Sequence, residues 1–182
     1  MPADTMSNKA FGFPSWLSAR LILVATAICG TLDIGYAIVM SMLRGGTALG
    51  VLQGIASGPF GNDIDRIGPI SGLLGLAVHF SIMSVMVGVF CLAVARMPRL
   101  NANPWLSGIA YGVISYIVMY WIVLALRWPQ IFPQAEPIKI FRALLPHLVC
   151  VGIPLAFLVR RASRGNGGDS RALVGAVSNS AS

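Results

Sequence analysis

Charge is what this chain has least of. Only 10% of its 182 residues are charged, against about 25% in an ordinary soluble domain. That shortfall excludes water as the solvent for much of the chain. Cysteine is scarce too: Cys29, Cys91 and Cys150 stand far apart in separate apolar runs, with no CxxC. The spacing argues against a disulfide framework and suits three buried thiols acting as small hydrophobes. The sequence contains no GxSxG, HExxH, GxxxxGK[ST] or HxE with paired cysteines. These patterns announce nucleophilic, zinc, phosphate-binding and deaminase chemistry. The chain is therefore expected not to be an enzyme, with no catalytic residue, no metal site and no cofactor assigned.

What is present is hydrophobic: 56% of the residues, with a mean hydropathy of +0.77. Thirteen Lys and Arg against six acids give a net charge of +7. The basic residues sit at the edges of apolar runs, which is the signature of membrane orientation and not of nucleic-acid binding. The lipid bilayer is the expected partner.

A membrane span needs about 20 apolar residues. Four runs qualify: residues 21–43, 69–95, 105–126 and 143–159. The first holds one charge, Asp33. It is too long for the core of a signal peptide and follows a 20-residue segment, so it is expected to be retained. The fourth is the shortest and contains Pro146 and Pro154. These elements predict an all-α integral membrane protein, an antiparallel four-helix bundle. Residues 1–20 and 162–182 are expected to be flexible cytoplasmic segments, the tail being glycine-rich and polar.

Four spans place both termini on one side. Lys9, Arg20, Arg96, Arg99, Arg160, Arg161, Arg164 and Arg171 fall there; Arg44, Arg66, Arg127, Lys139 and Arg142 fall opposite. The excess of positive charge predicts cytoplasmic termini. Trp105 and Trp128 flank the third span as interfacial anchors.

Between the first two spans runs "GGTALGVLQGIASGPFG", with glycine at positions 46, 50, 54 and 58. Each glycine weakens a helix by roughly 1 kcal/mol relative to alanine, yet small residues at this spacing let membrane helices touch. Residues 47–57 would make a helix about 16 Å long, too short to span. A short re-entrant or interfacial helix is expected, with Gly46, Gly50, Gly54 and Gly58 packed on the bundle as a lid. Gly72, Gly75, Gly108 and Gly112 are the matching packing glycines of the second and third spans. "NDIDR", residues 62–66, resembles part of a calcium loop but lacks its spaced ligands and terminal Glu, so a solvated loop is expected.

A charge at mid-membrane marks a functional site by default. Asp33 and His79 each lie ten residues from the same expected membrane face, about 15 Å deep. Thr26, Cys29, Asp33, Ala37 and Met40 share one helical face. Gly68, Gly72, Gly75, His79, Met83, Met86 and Phe90 share another, and Gly108, Gly112, Ser115 and Met119 a third. An Asp33–His79 pair pointing into the bundle is expected. Whether it fixes packing or handles protons or ions stays open at this point. His147 is expected nearer the surface, and Gln53 borders the glycines. Their depths argue against His79 and His147 as axial haem ligands. His79, Met83 and Met86 fit packing better than a path for soft metal.

"GTLDIGYA", "VLQGIASGPFG", "GLLGLAVHF" and "YGVISYIVM" resemble segments of small four-helix bacterial inner-membrane proteins of unknown activity, the YagU-like proteins. The resemblance covers about residues 21–161. It implies Asp33, Gln53, Ser57, Gly58, Gly61, His79, Tyr111 and Gly112 as recurrent positions and a link to acid resistance. Three functions follow: proton handling or acid tolerance; a small-solute transporter or channel subunit, forming a homo-oligomer; or a structural partner of another membrane subunit.

Overall fold

The computed structural model describes Pro14 and residues 16–164. The flexible termini expected at 1–20 and 162–182 therefore lie largely outside the described residues. Where they overlap, the structure differs. Trp16 and Leu17 pack against the core, a helix begins at Ala19, and the last helix continues to Arg164.

All described elements are helical. Helix α1 is Ala19–Met42, α2 is Ala48–Phe60, α3 is Pro69–Arg96, α4 is Pro104–Arg127 and α5 is Pro137–Arg164. Their starts follow capping chemistry. Ser18, Thr47 and Asn103 each accept a hydrogen bond from an amide of the first turn, satisfying a donor that the helix itself leaves unpaired. Proline opens α3, α4 and α5, where its missing N–H does no harm.

Four of these helices, α1, α3, α4 and α5, are long and apolar enough to cross a membrane, with mean hydropathy between 1.9 and 2.2. Their outer faces are apolar as well: Leu23, Leu73 and Leu126 are 70%, 69% and 81% exposed. Helices apolar on every side suit a lipid surrounding, so the chain is compatible with a multi-pass membrane protein.

The fourth long helix departs from expectation. It starts at Pro137, six residues before the expected start at residue 143. Lys139 and Arg142 interrupt the apolar run there, but Glu136 precedes Pro137 and its carbonyl accepts from the amides of Lys139 and Ile140.

The core joins α1, α3 and α5 through Ala25, Cys29, Met83, Val87, Phe90, Val151 and Leu155. Glycine sets the closest approaches. A Cβ at Gly30 would lie 2.6 Å from the Phe80 ring. One at Gly108 would lie 2.8 Å from the Cα of Ile153, and one at Gly112 would lie 2.6 Å from the His147 carbonyl oxygen. In the 3-10 turn that precedes α4, Asn101 donates to Ser163, near the end of α5. The partners of residues 101, 108 and 112 thus descend from 163 through 153 to 147.

Helix α2 lies across the start of α3, and here the expected lid face is wrong. It is Leu49 and Leu52 that press on Gly72 and Gly75 of α3. The ladder's own glycines do not pack on the bundle. Gly46 meets Ser41, Gly50 meets its neighbour Thr47, Gly54 has no atom within 4 Å of a Cβ position, and Gly58 meets only the edge of Trp128. The physical reason is area: the leucine face has more apolar surface to bury than the glycine face. Gly61 and Gly68, with φ of 91° and 65°, bracket a 3-10 segment, Asn62–Ile67. This segment covers "NDIDR", with an exposed Arg66–Asp63 ion pair of 3.1 Å.

Candidate functional site

Two helices widen where the bundle holds its polar groups. In α4 the residues Val118–Val123 form a π-helical turn, and in α5 His147–Gly152 do the same. Such widened turns often mark functional positions. In α5 the local cause is Pro146, which has no N–H to offer the carbonyl of Arg142, four residues earlier. The hydroxyl of Tyr36, on α1, donates to that carbonyl at 3.2 Å. Farther into the turn the Cys29 thiol donates to the carbonyl of Val151 at 3.8 Å.

The earlier start of α5 changes the depth of His147. This residue lies ten residues beyond Pro137, as His79 lies ten beyond Pro69, and Asp33 lies nine before Met42. Each is therefore about 15 Å from a helix end. The expected surface position of His147 is corrected by the register of its helix. His147 is buried, and its ring stands edge-on to Tyr116 and Tyr120, with centroids 6.1 and 5.7 Å away.

Asp33, His79 and His147 all line one cavity of about 640 Å³. A volume of that size is ordinary for a small-molecule site. Most of its wall is apolar, including Ile82, Met83, Met86, Met119 and Val151, with Trp128 and Arg127 at one side. Gly54 and Gly58 belong to this wall too. The glycine ladder therefore leaves room for the cavity instead of sealing it. A second cavity, of about 510 Å³, adjoins the first along Asp33, Tyr120, Phe132 and His147. Its wall is about half polar, with Tyr36, Ser41, Arg44, Gln134, Lys139 and Arg142 beside Met40, Ala143 and Pro146.

The expected Asp33–His79 ion pair does not form. Among the described residues the only ion pairs are Arg66–Asp63 and Lys139–Glu136. His79 Nε2 instead donates to the carbonyl of Gly30 at 3.0 Å. His147 Nδ1 donates to the carbonyl of Ala143 at 2.8 Å. A carbonyl can only accept, so each contact fixes which ring nitrogen carries hydrogen. The other nitrogen, Nδ1 of His79 and Nε2 of His147, is left with a lone pair for a proton. Asp33, half-buried on the cavity wall, keeps its carboxylate without an ionic partner among the described residues.

Gln53 stands apart from this group. Its amide donates to Ser71 Oγ at 3.0 Å and ties α2 to the start of α3. Tyr111 likewise holds α4 to α3, donating to the Met86 carbonyl at 2.6 Å. No group of three or more His, Cys, Asp or Glu side chains among the described residues is arranged to hold a metal.

Family models, curated proteins and solved structures offer no match to this chain. The site must speak through its own residues. Sequence reasoning missed Tyr36, Tyr120, Arg44 and Arg142. Tyr36 had a readable signal, since it follows Asp33 by three residues on one helical face. The others join Asp33 on a cavity wall only through the fold.

Proposed function

We propose that this chain is a non-enzymatic, multi-pass membrane protein whose cavity takes up and releases protons through Asp33, His79 and His147. The carrying observation is that one cavity wall holds a carboxylate without an ionic partner among the described residues and two imidazoles, each with one nitrogen tied to a backbone carbonyl. Imidazole changes charge within the physiological range, and ionisable groups at membrane depth mark proton and ion pathways. The charged and titratable groups around Asp33 and the two cavities are Cys29 and Tyr36 on α1, Arg44 just past its end, His79 on α3, Tyr120 and Arg127 on α4, and Lys139, Arg142, His147 and Cys150 on α5.

The descending partners of α4 and α5 support an antiparallel bundle. The excess of Lys and Arg around the termini supports placing both in the cytoplasm. With that orientation the basic cavity faces the outside of the cell, so the site responds to external acid. The resemblance to the YagU-like inner-membrane proteins agrees with a bacterial inner membrane and with acid tolerance. A host strain lacking this gene should lose survival in acid, and the wild-type gene should restore it. Asp33→Asn should fail to restore survival at equal expression; full rescue by that variant would refute the proposal.

A second reading has one specific observation in its favour. Two adjoining cavities of different polarity suit a small-solute transporter, working as a homo-oligomer. Transport of a solute in vesicles, lost in His147→Gln, would favour it. Co-purification of a larger subunit would favour the third function, a structural partner in a complex.

A further inference from the structure

The two adjoining cavities have complementary chemistry. The outer one carries Arg44, Lys139 and Arg142. Lys139 is engaged by Glu136 at 2.8 Å, whereas neither Arg44 nor Arg142 has an ion pair among the described residues. The inner one is walled by methionine, valine and isoleucine. The two meet at Asp33, Tyr120, Phe132 and His147. Arginine is the side chain best matched to carboxylate and phosphate, through its planar fork of donors. Methionine is adaptable and suits apolar groups of variable shape.

From this polarity we infer that the joined cavities bind a single-chain anionic amphiphile, its carboxylate or phosphate head at Arg44 and Arg142 and its apolar tail along Met83, Met86 and Met119. The inference deepens the proposed site by naming its ligand class, and it rests on that site being accessible. Charge complementarity selects the anion. The apolar inner wall selects the tail. Gly54 and Gly58 of α2, lacking side chains, leave the width that a tail needs beside Val51 and Ile55. Trp128, on the inner wall, gives the site a reporter.

The test uses the full chain in nanodiscs of zwitterionic lipid at neutral pH, with brominated undecanoate as probe. Bromine quenches tryptophan on contact, and the part of the signal lost in Trp128→Phe belongs to the site. We expect saturable quenching of Trp128, displaced by unbrominated undecanoate. Arg142→Gln and Arg44→Gln should each weaken it about tenfold, the loss of one charge-assisted hydrogen bond. Both arginines are exposed, so the folded state is retained, and Arg142→Lys should keep most of the affinity. Brominated undecanol quenching equally well, or indifference to both arginine substitutions, would overturn the inference. If anionic lipid in the disc abolishes the quenching, a lipid headgroup is the competing source of the same chemistry. If quenching persists, the ligand is a free amphiphile; either result upholds the inference. Proton uptake by Asp33 is read separately, by infrared spectroscopy without ligand, so the two proposals fail independently.

Discussion

His79 donates through Nε2 to the carbonyl of Gly30 at 3.0 Å, three residues before Asp33 and not to Asp33 itself. The imidazole is thus held by the backbone of α1 at the point where Gly30 lets α3 come close. Asp33 is left to the cavity. Packing and chemistry are divided between neighbours on the same two helices.

That division predicts different stabilities for two substitutions. His79→Leu removes a buried hydrogen bond and should lower stability by about 1 kcal/mol. Asp33→Asn breaks no ion pair among the described residues and should change it by less than about 1 kcal/mol. Thermal unfolding in mild detergent measures both. An Asp33→Asn variant that unfolds much earlier would show that the carboxylate holds the bundle together.

The glycines divide in the same way. A Cβ at Gly112 would meet the His147 carbonyl oxygen at 2.6 Å and the Leu148 Cα at 3.0 Å. Gly112→Ala should therefore destabilise by about 1–3 kcal/mol, as overpacking does. Gly54 has open space and a helical position. Gly54→Ala should be neutral or stabilising by up to about 1 kcal/mol, while narrowing the cavity. Parallel unfolding curves of the two variants check the contrast, and equal losses would contradict it.

Arg127 closes the far end of α2. Its Nε donates to the Gly58 carbonyl at 2.9 Å, and one Nη to the Ser57 carbonyl at 3.0 Å and to Asn62 Oδ1 at 3.1 Å. Gly58 lies in the last turn of α2, where carbonyls run out of intrahelical donors, and the Ser57 carbonyl accepts from the Gly61 amide as well. Lysine cannot reproduce the fork. Arg127→Lys should loosen residues 57–67, seen as faster amide hydrogen exchange there with little change in α3. Unchanged exchange in that segment would mean that the guanidinium does not hold it.

The four long helices were legible because about 20 apolar residues in a row is a pattern that few surroundings other than lipid require. The register of α5 was not, since Lys139 and Arg142 broke the apolar run. The helix-start pattern of Glu136 and Pro137 was the better guide. That six-residue error hid the site, because it placed His147 too near the surface to meet Asp33 and His79. The glycine ladder was misread for a related reason. Its spacing shows where helices could touch, but the face that packs is decided by the apolar area opposite. The π-helical turns were half legible: Pro146 and Pro154 announced freed carbonyls, and only the fold shows Tyr36 answering one of them.

Acid–base difference infrared spectroscopy of the protein in bilayers tests the proton reading most directly. A carboxyl C=O band should appear and vanish reversibly across the pH range of growth. It should be absent in Asp33→Asn and altered in His147→Gln, whose imidazole shares the cavity wall. A spectrum in which the Asp33→Asn variant keeps every titrating carboxyl band of the wild type would contradict it.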